Sequence, residues 1–207
     1  MYLRACKPAR IPHTWTMHPL LRDFLASIPE LGAADREALA PLLRADEYPQ
    51  GTVLLQPDSI ACRCYWVLKG CVRQYLLAGG QEKTTAFFTE NQAVADFASY
   101  ARQQPAGHYW VCLEDCVLLA GDLGEEHRMY EAFPALELVT RRMMAEDFGE
   151  MQHQWAAFMT RSPEERYLHL LGTRPDLLQR VPQHQLASYL GVTPESLSRI
   201  RRRLRSR

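Results

Sequence analysis

The chain has 207 residues, 47% of them hydrophobic, and 24 acidic against 24 basic side chains, a make-up that fits a globular protein with one large core or two modest ones. A net charge of zero excludes a uniformly basic, nucleic-acid-coating chain, but residues 160–207 hold ten arginines against four acids. That tail carries a positive excess, and the remainder an equal negative one.

No apolar run is long enough to span a membrane, and the first 17 residues are basic, contain Pro8 and Pro12 and lack the apolar stretch of a signal peptide. A reducing cytoplasm is the expected location, with Cys6, Cys62, Cys64, Cys71, Cys112 and Cys116 as free thiols.

Residues 18–46 read as helical, with Leu20, Leu21, Phe24, Leu25 and Ile28 on one face, then Ala34 to Leu43 after a break at Pro29 to Gly32. From Thr52 the pattern changes to short β-type runs: 52–55, 65–68, 72–77, 84–88, 109–113 and 117–119. Gly70 and the Gly79-Gly80 pair are hairpin signals between them. Short strands at this spacing, separated by turn residues, predict an antiparallel sandwich or jelly roll. A helical period returns over 131–159, starting near Pro134, with Leu136, Val139, Met143, Phe148, Met151, Trp155 and Phe158 roughly in line. Such a stripe needs a partner along its whole length, either its own barrel or a second copy.

The last segment carries the most specific pattern. Leu186, Ala187 and Leu190 place apolar side chains on one face of a short helix from Gln183, which Gly191 ends. A second helix starts at Thr193, with a capping hydroxyl, Pro194 at the first helical position and Glu195 near the positive end of the dipole. Leu197, Ile200 and Leu204 form its apolar stripe, turning Glu195, Ser196, Ser198, Arg199, Arg202 and Arg203 outward. Two helices joined by a glycine turn, the second with an arginine-rich outer side, predict a helix-turn-helix whose second helix enters the major groove. Arginine can present two donors to guanine, glutamate can accept from cytosine, and serine can serve at a base edge or phosphate. Glu195, Ser198 and Arg199 are therefore assigned base readout; Gln183, Ser188, Thr193, Ser196, Arg202 and Arg203 are assigned phosphate contacts and orientation.

The segments GTVLLQPDSIACRCYWVLKGCVRQYLL at 51–77, SPEERYLHLL at 162–171 and PDLLQRVPQHQLASYLGVTPESLSRIRRRL at 175–204 resemble the Crp/Fnr regulators, especially the subgroup without a recognisable cyclic-nucleotide site. The resemblance covers roughly 170 to 190 of the 207 residues. It implies an α+β chain: an antiparallel β jelly-roll sensor barrel over 18–130, a long dimerisation helix over 131–160 and a winged-helix-like helix-turn-helix domain over 161–207, with a short or absent final wing beyond Leu204. Residues 1–17 read as an extension, because Met17 fits the family start better than Met1. The implied partners are double-stranded DNA and a second copy of the chain, with RNA polymerase and a small-molecule effector as further candidates. Nucleotide-binding relatives often carry an arginine where this chain has Pro194, so their preferred DNA sequence does not transfer.

In nucleotide-binding members of the family a glycine-glutamate pair and an arginine-serine or arginine-threonine step hold ribose and cyclic phosphate. Here the corresponding positions are Asp96 or Phe97 and Pro105-Ala106, which supply neither the fixed cation nor the free amides a phosphate needs. Cyclic AMP is not expected as a ligand. A different small ligand could meet Asp96, Phe97, Ser99, Tyr100 and Arg102, with Met151 and Gln152 on the long helix, or the pocket could be filled by its own side chains.

Metal or redox sensing through the cysteines is the alternative function, but their spacing specifies no four converging ligands, and no metal or cofactor is expected. A barrel enzyme is a third class; the seven histidines are isolated and no Gly-x-Ser-x-Gly motif occurs, so no catalytic residues are assigned.

Overall fold

A computed structural model describes residues 17–206. Residues 1–16, which include Cys6 and most of the expected extension, lie outside the described residues.

Helix α1 (Pro19–Ser27) starts where the His18 ring accepts the Leu20 amide at 3.2 Å, with Pro19 already fixed at a helical φ. It buries Leu21 and Leu25. Helix α2 (Ala33–Leu39) follows, ending earlier than the sequence pattern predicts, because Arg44–Tyr48 forms strand β1. This corrects the helical reading of residues 18–46. β1 is an edge strand, and edge strands carry charge as protection against stray pairing, so Arg44, Asp46 and Glu47 hide its period of two.

The remaining strands are β2 (Val53–Leu55), β3 (Arg63–Lys69), β4 (Val72–Ala78), β5 (Gln81–Phe88), β6 (Ala93–Val94), β7 (Tyr109–Cys112) and β8 (Cys116–Asp122). They form two antiparallel four-stranded sheets, β1-β8-β3-β6 and β2-β7-β4-β5. The β4–β5 hairpin turns through Gly79 and Gly80, both at positive φ, as a tight two-residue turn demands. Between the sheets lies a core of Leu55, Tyr65, Val67, Val72, Val94, Trp110, Cys112, Cys116 and Leu118.

Helix α3 (Phe97–Arg102) sits between β6 and β7, and α4 (Glu126–Ala132) leads into α5 (Pro134–Thr160). The α5 stripe does not run in a single line. Leu136, Val139 and Met143 pack with α1 and α2 against Leu68 and Leu119 on the outside of the first sheet. Further along, Met144, Phe148, Met151 and Trp155 are 42%, 56%, 59% and 66% exposed. Their four-three-four spacing gives a 3.5-residue seam distinct from the barrel-facing residues.

The chain ends in α6 (Pro163–Thr173), α7 (Leu177–Arg180), α8 (Gln183–Tyr189) and α9 (Pro194–Arg205). Ser162 and Glu165 form a reciprocal cap that restarts the helix after the break at Arg161. Tyr167, Leu170, Leu177, Leu186, Leu197 and Ile200 close a separate core, which also takes in Cys71 and Phe87 from the barrel.

Candidate nucleic-acid interface

Helices α8 and α9 meet at Gly191, whose φ of +70° only glycine adopts cheaply. The Val192 amide returns to the Ala187 carbonyl at 2.9 Å and the Gly191 amide to Ser188 at 3.1 Å, closing the end of α8. A Cβ on Gly191 would stand 3.0 Å from both the Arg166 guanidinium and the Phe158 ring, so the turn is also tightly packed. Thr193 then caps α9, its Oγ1 accepting the Ser196 amide at 3.2 Å. Glu195 stands in the first turn, where hydrogen bonds from its own amide and from the Thr193 side chain hold its carboxyl below the usual range.

Burial divides α9 cleanly. Leu197 is fully buried and Ile200 nearly so, while Glu195, Ser198, Arg199, Arg202 and Arg203 are exposed and Ser196 is half-buried. Arg199 Nη2 donates to Ser196 Oγ at 3.2 Å, which steadies the guanidinium along the solvent side. Gln183 Nε2 donates to Ser198 Oγ at 2.6 Å and to the Pro194 carbonyl at 3.3 Å, bridging the start of α8 to α9. The surface so formed offers an acceptor, hydroxyls and arginine forks on one helix side, the chemistry of base edges and phosphates.

Two of the sequence-derived residues are engaged elsewhere. Arg203 is paired with Glu164 of α6, and Ser188 faces the barrel. The Ser188 hydroxyl accepts the Thr84 amide at 2.9 Å and donates to the Glu82 carbonyl at 3.2 Å. In this arrangement it is not presented to a phosphate. Arg205, exposed in the last turn of α9, is a further cation that the sequence reading left out; its place after the Leu204 stripe residue was the available signal.

Of the residues expected around a small ligand, Asp96, Phe97, Ser99, Tyr100 and Arg102 lie together on α3 and its cap, and Met151 and Gln152 on α5. Asp96 caps α3 by accepting the Ser99 amide at 2.9 Å. Ser99 is buried, and its hydroxyl is used by the Ala61 amide at 3.1 Å and the Gln104 carbonyl at 2.6 Å, so it locks α3 to a neighbouring loop. Phe97 and Arg102 are exposed, Tyr100 is half-buried, and Met151 and Gln152 lie exposed on the outer half of α5. A half-open cleft of about 480 Å³ on the barrel is lined by residues such as Leu55, Ser59, Arg63, Tyr65 and Trp110. None of the seven expected ligand residues lines it.

Cys71, Cys112 and Cys116 are buried, and burial pushes the Cys71 thiol up to about 12, far from the thiolate that metal binding or oxidation needs. Among the described residues no group of His, Cys, Asp and Glu is placed to hold a metal ion, and no helix is long and apolar enough to cross a membrane.

Residues 45–131 match the family model of the cyclic nucleotide-binding domain. Among solved structures the chain is similar to CLP of Xanthomonas campestris, described as a c-di-GMP responsive global regulator, at 16% identity over 84% of this chain and 92% of that one, with a TM-score of 0.65. FixK2 of Bradyrhizobium japonicum is similar at 20% identity, 79% and 85% coverage and a TM-score of 0.63. A candidate transcriptional regulator of the Crp/Fnr family from Eubacterium rectale gives 17% identity, 92% and 88% coverage and 0.61. At these identities the structural likeness shows a shared fold alone. No curated protein sequence matches the chain.

Proposed function

This chain has the fold of the Crp/Fnr regulators, with a cyclic nucleotide-binding-type domain over residues 45–131, and on that premise we propose that it is a homodimeric, sequence-specific DNA-binding transcription regulator that does not respond to cyclic AMP. The observation that carries the reading is the outer side of α9. A helix buried on one side by Leu197 and Ile200 presents Glu195, Ser198, Arg199 and Arg202 to solvent on the other, immediately after a helix-turn joint. The exposed seam of Met144, Phe148, Met151 and Trp155 supports a second copy as the partner of α5. In this reading the partners are duplex DNA and that second copy, with RNA polymerase the protein a promoter-bound dimer would meet.

The loop after α3 supports independence from cyclic AMP. Pro105 stands where the family's arginine would and lacks an amide hydrogen, Ala106 beside it is buried and brings no hydroxyl, and Ser99 has spent its own hydroxyl internally.

One titration tests both parts. A fluorescent mixed-sequence duplex is expected to bind at low salt, with the logarithm of affinity falling linearly as the logarithm of salt rises, and added cyclic AMP is expected to leave the curves in place. Absence of binding at low salt would overturn the DNA reading. A gain in affinity that requires cyclic AMP would overturn the effector reading alone.

A further inference from the structure

The helix-turn-helix domain is fastened to the barrel at three separated points, each on a different helix. At the end of α6, Arg174 donates to the Phe87 carbonyl at 2.8 Å, to Thr89 Oγ1 at 2.9 Å and to Gln92 Oε1 at 3.2 Å. At the end of α7, Arg180 holds Glu90 with two hydrogen bonds of 2.8 and 2.9 Å and grips Glu114 as well, while Asp176 of its own domain stands 3.5 Å away. On α8, Ser188 closes on the β5 backbone as described, and beside it the Tyr189 ring meets Phe87 edge-on, with centroids 5.2 Å apart.

A single contact would let the domain swivel, whereas attachments from three different helices restrict its rotation. Arg180 is only 23% exposed, and a planar guanidinium gripping two carboxylates tolerates little change of angle. Burial works to raise the Glu90 carboxyl, but the bonds from Arg180 and from the Gly70 amide outweigh it and keep the group ionised. Arg166, lying 4.1 Å over the Phe158 ring, sits at the α5–α6 joint and can serve as a pivot. All three attachments leave Glu195, Ser198, Arg199 and Arg202 exposed, so docking on the barrel does not consume the surface assigned to DNA.

We propose that Arg174, Arg180 and Ser188 are positioning residues that, through Glu90, Glu114 and β5, set the angle of α9 on the barrel and hence the separation of the two DNA half-sites a dimer reads. This rests on the reading of the chain as a DNA-binding dimer. A dimer gains from its second half-site only when both recognition helices arrive in register, so a loosened domain loses that gain while each helix keeps its own affinity.

The test uses full-length protein and a duplex carrying the two half-sites that the wild type selects. Companion duplexes have one half-site scrambled, or the half-sites moved apart by single base pairs. The double variant Glu90→Gln, Glu114→Gln changes the barrel alone. It is expected to lose about tenfold on the two-site duplex, to hold the one-site duplex within about twofold of wild type, and to accept spacings the wild type rejects. Unchanged spacing preference, or an equal loss on both duplexes, would overturn the proposal. Should the double variant melt early, Arg174→Gln carries the same test from the α6 attachment and is judged by the same outcomes. A wild-type protein that selects no two-site duplex would instead remove the dimeric DNA reading, and the positioning role with it.

Discussion

Trp155→Glu is expected to leave the chain monomeric. Trp155 is 66% exposed on α5, in the seam formed with Met144, Phe148 and Met151 at four-three-four spacing. Four large apolar side chains in such a line form a patch that a second α5 would cover, because a 3.5-residue repeat keeps one side of a helix facing a partner along its length. A carboxylate in that seam would lose water on association with no partner to pair it, a cost that outweighs what the indole gains there. Sedimentation or light scattering is expected to show a dimer for wild type and a monomer for the variant. On a two-site duplex the affinity is expected to fall about 100-fold or more, since the second site no longer comes with the first. The variant is expected to fold normally, because Leu136, Val139 and Met143, which fasten α5 to the barrel, are untouched. A variant that stays dimeric would place the contact between copies on another surface.

Arg199→Ala is the second large effect expected. Its guanidinium is exposed at mid-length on α9 and steadied by Ser196. Presented to a guanine it can give both prongs, and the variant is then expected to lose about 1 to 3 kcal/mol on the preferred duplex and to accept any base at one position of each half-site. Arg202→Ala supplies the contrast, with a loss nearly equal on all sequences and a salt slope shallower by about one. Competition titrations against duplexes changed one base at a time separate the two. An equal loss on every duplex for Arg199→Ala would make Arg199 a phosphate contact as well.

The legible parts of this chain are those in which neighbours in sequence determine one another. Thr193, Pro194 and Gly191 specify the two ends of the turn through capping, fixed φ and a left-handed backbone, and the structure shows each in that role. Gly79 and Gly80 likewise announce the β4–β5 hairpin. β1 escaped because the partner that makes it a strand, β8, lies some seventy residues away, and its own residues carry edge charges in place of alternation. The α5 stripe was legible as apolar, but not as two surfaces, because helical spacing says which residues share a side and not what covers them. Ser188 shows the same limit at the candidate site. On a helix-turn-helix it reads as a phosphate contact, yet its partners are Thr84 and Glu82, more than a hundred positions earlier. The clamp on Arg180 is of this kind too, since Glu90 and Glu114 are ninety and sixty-six residues away. At Ser99 too, the hydroxyl is engaged by the Ala61 amide and the Gln104 carbonyl, a geometric fact that residue type cannot express.

Selection of bound fragments from a random duplex pool by the full-length wild-type protein measures most directly whether the outer side of α9 enters a groove of duplex DNA. The expected result is a two-fold symmetric sequence whose half-sites are centred about one helical turn apart, with a base preference in each half-site that Arg199→Ala relaxes. Recovery of a pool no different from the starting one, at a salt concentration low enough for basic proteins to hold DNA, would contradict it.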